Sequence, residues 1–328
     1  MANGGAAAKT SGNSEARLPT EFDDAVMWAT WLYYADQMTQ SEIAKKLNVS
    51  RATIVNLLQE AREREIVSIR ISPQAFGRTA VARALMEKFG LEGVFVIPTG
   101  DERSLVDRLG DAGARVLAEQ IEDGDTVGVA WGRTVLAVAN QISLPKPARN
   151  VTVVQVAGSS TGEPEFSAEL CTSLLSNRIQ ARCVNLLAPA VLSTRELKAM
   201  LLAEPVLKKQ FELIHSTDRI LFGVGDIGAR STVRVSGIAS KAEIDTYVEQ
   251  GAVAVIIGRF IDTHGMPIGG DHDDRMVGIT LDELKQVKSR ICVAGGPTKT
   301  AAITATLEAG YATHFVTDMA TGEALLSV

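Results

Sequence analysis

The sequence predicts two fold classes joined in one chain: an all-α helix-turn-helix head, and a larger α/β domain with a mostly parallel sheet. Two changes of texture carry this reading. Residues 20–65 contain no glycine and repeat their apolar residues at helical spacing. From about residue 80, short β-rich apolar runs alternate with helical stretches. Buried strands alternating with helices imply a parallel sheet covered on both faces. A third observation narrows the choice: no short-period internal repeat is visible, which argues against a solenoid.

The composition fits that reading. At 328 residues, with 46% hydrophobic and 22% charged residues, the chain resembles an ordinary soluble globular protein. It is long enough for a full-sized core and a second small domain. No apolar run approaches the ~18 residues of a membrane span; "AVAVIIG" (252–258) is strand-sized. Residues 1–18 are small and polar, without the apolar block of a signal peptide, and read as a disordered tail. Cys171, Cys183 and Cys292 show no CxxC pairing. That argues against a disulfide framework or zinc site and fits a reducing cytoplasm, the expected location, with no membrane partner. Net charge is −6, and residues 1–72 hold 8 Lys/Arg against 9 Asp/Glu. A nucleic-acid surface here must be a local patch.

The head is expected over residues 19–72. "EFDDAVMWATWLYYADQM" places Phe22, Val26, Ala29, Leu32 and Tyr33 on one helical face. The next stretch, "TQSEIAKKLNVSRATIVNLL" (39–58), has every part of a helix-turn-helix. Ala44 is small where two helices would cross. Asn48 tolerates the left-handed backbone of the turn, and Ser50 can cap the second helix. Ile43, Leu47, Val49, Ile54 and Leu57 would fill a three-helix core. Arg51, Ala52, Val55 and Asn56 then point outward, with Thr53 at the edge, where a recognition helix meets base edges in the major groove. Gln40, Lys45, Lys46 and Ser50 complete the expected DNA-binding set, the two lysines and Gln40 facing phosphate. The bland alternative, an unrelated amphipathic helical hairpin, does not require all four features in one register. "VSIRIS" (67–72) is a candidate wing strand, and residues 73–79, "PQAFGRT", read as a linker.

Residues 80–328 form the large domain. Its expected strands are "GVFVIP", "TVGVAW", "VTVVQVAG", "CVNLLAPA", "RILFGVG", "AVAVIIG", "RICVAGG" and "THFVTD". "WGRT" (131–134) follows a strand and opens a helix, so the backbone N–H groups of Gly132, Arg133 and Thr134 face a free helix N-terminus. That geometry suits a phosphate or polyhydroxyl ligand, although a Gly-x-Thr turn alone is more often a plain connection. "AGSSTG" (157–162) could add Gly158 and Ser159 to the same crevice, since ligands of parallel sheets sit at the carboxyl ends of strands. Asp262 in "GRFIDTHG" and Lys299 in "AGGPTKTAA" also end strands, but a single loop charge is ordinarily solvated surface. "DTHGMPIGGDHDDR" gathers Asp262, His264, Asp271, His272, Asp273 and Asp274. It lacks a helical His pair and is broken by Gly and Pro, so it reads as a polar loop rather than a metal site.

The order helix-turn-helix, "GVAWGRTVLAVANQI" (128–142), "VTVVQVAGSS", "IIGRFIDTHGMPI" (256–268) and "CVAGGPTKTAAITATLEAGYATHFVTDMATGEALL" (292–326) resembles the SorC/DeoR-like group of bacterial sugar-binding transcriptional regulators. The resemblance spans nearly all of the chain beyond the tail, and the last motif is its most specific part. It implies a DNA-binding head joined to an effector domain related in fold to sugar-phosphate isomerases. It further implies that "WGRT" holds the effector's phosphate end and that Asp262 and Lys299 contact it.

The expected function is thus control of a carbohydrate or polyol catabolic operon by a sugar, polyol or sugar phosphate. The expected partners are operator DNA and further copies of the chain, as a dimer or tetramer, and neither metal nor cofactor is implied. A sugar-phosphate isomerase or aldolase-like enzyme with an accessory head is the alternative, but no paired carboxylate and histidine supports it. A phosphosugar-binding assembly module would require the helix-turn-helix to be accidental. Two departures stand out: Asn56 where many relatives are basic, and Arg133 where some carry a small residue. The second leaves room for an unphosphorylated polyol.

Overall fold

Asp24 caps the first helix, α1 (Ala25–Tyr34), by accepting from the Met27 N–H at 2.9 Å. This is a computed structural model, and it describes residues 18–64, 66–67, 79–100, 102–160, 166–229 and 231–328. Nearly all of the expected tail, of the wing strand and of the linker lies outside the described residues. The chain divides into two compact units, Met1–Ile71 and Ser72–Val328.

In the first unit, Thr39 and Glu42 form a reciprocal capping box at the start of α2 (Gln40–Leu47). Asn48 ends that helix at φ 55°, ψ 43°, the left-handed conformation expected of the turn. Ser50 then caps α3 (Arg51–Glu63), accepting from the Thr53 N–H at 3.0 Å. Trp28, Ala29, Leu32, Ile43, Ala44, Leu47, Ile54 and Leu58 make one buried cluster. Two expected core residues differ. Val49 is exposed at 39%, because it lies in the turn, and Leu57 is only partly buried. Leu58, one turn beyond Ile54, takes the core position instead.

The second unit runs α4 (Ala80–Phe89), β1 (Gly93–Ile97), α5 (Leu105–Gln120), β2 (Thr126–Val129), α6 (Arg133–Gln141), β3 (Thr152–Gln155), α7 (Ala168–Arg178) and β4 (Arg182–Val184). It continues through α8 (Arg195–Ala203), α9 (Pro205–His215), β5 (Arg219–Phe222), β6 (Val224–Asp226), α10 (Thr232–Val235), α11 (Lys241–Glu249), β7 (Ala254–Ile256) and β8 (Arg259–Ile261). α12 (Asp271–Arg275), α13 (Leu281–Gln286), β9 (Ser289–Val293), α14 (Thr300–Glu308), β10 (His314–Asp318) and α15 (Met319–Ser327) complete it.

Seven strands form one sheet in the order β1-β10-β9-β5-β2-β3-β4, and every pairing is parallel. Its central strands are buried on both faces, which is why they read as continuous apolar runs. The "AVAVIIG" run joins a different sheet. There β6, β7 and β8 pair antiparallel, with Val224 beside Ile256 and Ile256 beside Arg259. This small sheet packs a separate cluster around Tyr247 and Phe260, whose rings stack at 4.3 Å.

The acidic stretch after β8 also differs from the polar loop expected of it. Asp271–Arg275 is a short helix. His272 is 2% exposed and packs edge-on against Tyr247 and Phe260. Asp271 pairs with Arg275 at 2.8 Å and Asp273 with Arg259 at 2.5 Å, while Asp274 pairs with Arg195. Among the described residues no group of His, Cys, Asp and Glu could hold a metal ion. No described helix is long and apolar enough to cross a membrane.

Candidate functional site

β2 ends at Val129, and the chain turns through Trp131 and Gly132 into α6. Gly132 has φ 127°, a region that disfavours side chains, so glycine makes this turn without strain. It is also the N-cap, and no side chain caps α6. Among the described residues, no side chain caps the positive dipole end at the first turn of α6, and that turn carries no acidic residue. The Gly132 N–H donates to the Phe166 carbonyl at 3.3 Å. Phe166 stacks on Trp131 at 6.5 Å, and the Arg133 guanidinium lies 5.6 Å from the Phe166 ring centre. Arg133 is therefore braced by an aromatic wall.

Thr134 faces the end of β5. A β-carbon built on Gly223 would lie 2.8 Å from the Thr134 hydroxyl oxygen, so only glycine leaves that hydroxyl room. Gly223 separates β5 from β6, and the next residue, Val224, accepts from the Lys299 ammonium at 2.9 Å. Thr134, Gly223, Val224 and Lys299 thus meet beyond the carboxyl end of β5. Burial holds the Lys299 ammonium below its usual range; the Asp226 carboxylate opposes this and the Arg133 charge adds to it.

Lys299 is placed by a second anchor. Gly296 donates its N–H to the Asp318 carboxylate at 3.0 Å and to the Thr321 hydroxyl at 2.7 Å. Asp318 in turn caps α15 by accepting from the Thr321 N–H at 3.0 Å. Its neighbours donate three hydrogen bonds to this 6% exposed carboxylate, and the loop before Lys299 is fixed by them.

The other expected contacts sit elsewhere. Gly158 and Ser159 do lie beyond β3, but their N–H groups are spent on Val277 and Ala188, at 3.0 and 2.9 Å. A β-carbon on Gly158 would come within 2.4 Å of the Pro189 carbonyl oxygen. These two residues join segments of the fold rather than present amides to a ligand. Asp262, expected to face the crevice with Lys299, has its Oδ1 engaged in its own turn. The Asp262 carboxylate closes its own turn, accepting from the His264 and Met266 N–H groups at 2.8 and 2.9 Å. Gly265 of that turn packs against Ala305 and Ala309. Ala305 is six residues beyond Lys299 along α14, about 9 Å of helix rise. The carboxylate beside Lys299 is Asp226, which sequence reasoning missed; its only signal was the glycine-interrupted "FGVGD" after an apolar run.

In the head, Arg51, Ala52, Thr53, Val55 and Asn56 are exposed along α3, as are Lys45, Lys46 and Ser50. Gln40 is half-buried and accepts from Arg51 Nε at 3.2 Å.

Residues 73–327 match the family model described as "Putative sugar-binding domain". Over 313 residues the chain is 37% identical to the "Uncharacterized transcriptional regulator YjhU" of Escherichia coli K12, covering 93% of this chain and 95% of the relative. It is 31% identical over 303 residues to the "Deoxyribonucleoside regulator" of Bacillus subtilis, covering 91% and 96%. The crystal structure of the full-length sorbitol operon regulator SorC from Klebsiella pneumoniae superposes with a TM-score of 0.76. It is 27% identical and covers 92% of this chain and 97% of that one.

Fold and relatives define the class: a transcriptional regulator carrying a sugar-binding domain. The chain belongs to the SorC/DeoR-like family of bacterial sugar-binding transcriptional regulators.

Proposed function

We propose that this regulator controls a carbohydrate or polyol catabolic operon and responds to a sugar, polyol or sugar phosphate bound beyond the ends of β2 and β5. One observation carries the reading: the Thr134 hydroxyl and the Lys299 ammonium flank Gly223 and Val224, beside the uncapped start of α6. A polyhydroxyl ligand needs donors and acceptors in a confined crevice, and an anionic end group needs a helix start and a cation. Arg133, Thr134 and Lys299 would supply the donors and Asp226 an acceptor, with Gly132 shaping the turn. Gly158 and Ser159 would support the crevice wall. Asp262 would act at a distance, by holding the turn packed on α14.

The α2–turn–α3 unit is read as the helix-turn-helix, with α3 as recognition helix. One such helix covers a half-site, so the operator-bound form would be a dimer or a tetramer. Effector binding would alter the geometry of paired heads and hence operator affinity. A thermal-shift screen of sugars, polyols and their phosphates tests this, because a specific ligand stabilises by mass action. The expected result is a hit that Thr134→Val weakens by about 1–3 kcal/mol, since a ligand oxygen is left unpaired. A hit of unchanged affinity in Thr134→Val would place the ligand elsewhere.

A further inference from the structure

A cleft of about 440 Å³ opens between α8, α9 and the segment leading into α13. It shares no lining residue with the crevice around Thr134 and Lys299. α9 packs with the core that includes Ile220 and Phe222, whereas α6 packs with the core on the other face of the sheet. We infer that this cleft is a second small-molecule site, for an organic anion with an acceptor-only head and a short apolar body. The inference is independent of the effector reading above.

The chemistry of the walls selects that ligand. Leu202 and Phe211 supply an apolar side. The polar side carries more cationic donors than acceptors still open to a ligand. Arg259, 4% exposed, donates through Nε to the Ile279 carbonyl at 3.0 Å and through Nη1 to Asp273 at 2.5 Å. Its Nη2 reaches only the Gly278 carbonyl, at a long 3.4 Å. Lys198 donates to the Asp274 carbonyl at 3.1 Å, one acceptor for an ammonium that has three protons to give. Lys208 adds a further cation to the lining.

Two of the neighbouring acidic groups, Asp273 and Glu283, are already engaged. Asp273 is held by Arg259. Glu283 accepts from the Thr280 N–H at 2.8 Å and pairs with His215 at 3.0 Å. Glu212 also lines the cleft, on the same helix as Lys208. Burial and the neighbouring Arg259 hold the Lys198 ammonium below its usual range, while Asp273, Asp274 and Glu283 pull the other way. An anion placed against Lys198 relieves that strain, because it restores the opposite charge that desolvation makes valuable. A cationic or purely neutral ligand would leave both conditions unmet.

Methyl NMR on the full-length chain tests the site, with benzoate as probe and chloride at matched ionic strength as control. The expected result is a saturable shift of the Leu202 methyl signals, with Kd at or below about 1 mM. Lys198→Met should weaken it at least tenfold, a loss of about 1.4 kcal/mol, and Lys208→Met should weaken it in the same direction. Lys299→Met should leave it unchanged, because that residue belongs to the other crevice. No saturable shift, or a shift that both lysine variants retain, would overturn the inference. An equal response to inorganic phosphate would reduce the cleft to a general charge effect and overturn the organic ligand. Loss of benzoate binding in Lys299→Met would merge the two sites and overturn their independence.

Discussion

The Lys299 ammonium donates to the Val224 carbonyl at 2.9 Å, one residue along the chain from the Gly223 that makes room for the Thr134 hydroxyl. A cation and a hydroxyl far apart in the sequence thereby flank one irregular dipeptide. Lys299→Met should give a protein that folds and binds its operator but no longer responds to the effector, since a charge-assisted contact is removed. Wild type should show no turnover of the bound sugar. Gel shifts with and without effector check the first outcome, and product analysis checks the second. Conversion by wild type that Lys299→Met loses would contradict the regulator reading. Because burial lowers the ammonium's pKa below the usual 10.5, effector affinity should fall as pH rises through that depressed value.

Gly223→Ala should act on the same hydroxyl from the other side. The new methyl would sit 2.8 Å from Thr134 Oγ1, closer than carbon and oxygen ordinarily approach. Thr134 must rotate or the strand end must shift, so effector affinity should drop about tenfold, near 1.4 kcal/mol. Operator affinity without effector should stay as in wild type. Calorimetric titration that finds wild-type effector affinity would remove the Gly223 approach from the site.

Much of the sheet was legible because its strands are buried on both faces. Each of the eight quoted runs overlaps a strand, although "CVNLLAPA" shares only Cys183 and Val184 with β4. β6 and β8 were not legible: each has three residues, too short for any period, and "RILFGVG" read as one strand although Gly223 divides it. At the crevice, "WGRT" was readable since a glycine at a strand-to-helix turn has a local meaning. The packing of the Asp262 turn on α14 is tertiary, and nothing in "GRFIDTHG" reports which helix lies beneath. Asp226 was missed for the same reason. Asp318 stood in the quoted "VTD" without a role, since its partners Gly296 and Thr321 flank it at very different sequence distances.

Asp318→Ala should destabilise the second unit by about 2–4 kcal/mol, combining a lost helix cap with donors left unpaired in a buried place. It should also weaken effector binding, because Gly296 and then Lys299 lose their anchor. Thermal unfolding and titration at a temperature where the variant is folded check both. An effector affinity equal to wild type in the folded variant would show that Lys299 does not depend on this anchor.

Asp262→Ala separates support from contact. Its Oδ1 already accepts from two N–H groups of its own turn. Removing it should cost about 1–2 kcal/mol of stability from those unpaired donors. Effector affinity should stay within about twofold of wild type, a change below ~0.5 kcal/mol. A loss of tenfold or more without loss of fold would return Asp262 to the ligand's direct contacts.

Arg51 and Gln40 make the last test, in the head. Arg51 is the first residue of α3 and exposed, where a recognition helix would meet base edges. Gln40, on α2, accepts from Arg51 Nε at 3.2 Å and so fixes the direction of the guanidinium. Arg51→Ala should weaken specific operator binding by about 1–3 kcal/mol and relax the preference at one base pair of each half-site. Gln40→Ala leaves the charge in place but frees it to wander, so it should reduce discrimination more than affinity for random DNA. A guanidinium that touched only phosphate would behave differently. Both variants would then weaken all sequences alike, and Arg51→Ala would lower the salt dependence by about one counterion. Binding to operator and scrambled duplexes across a salt series distinguishes the two, and uniform weakening would move Arg51 from base readout to backbone anchoring.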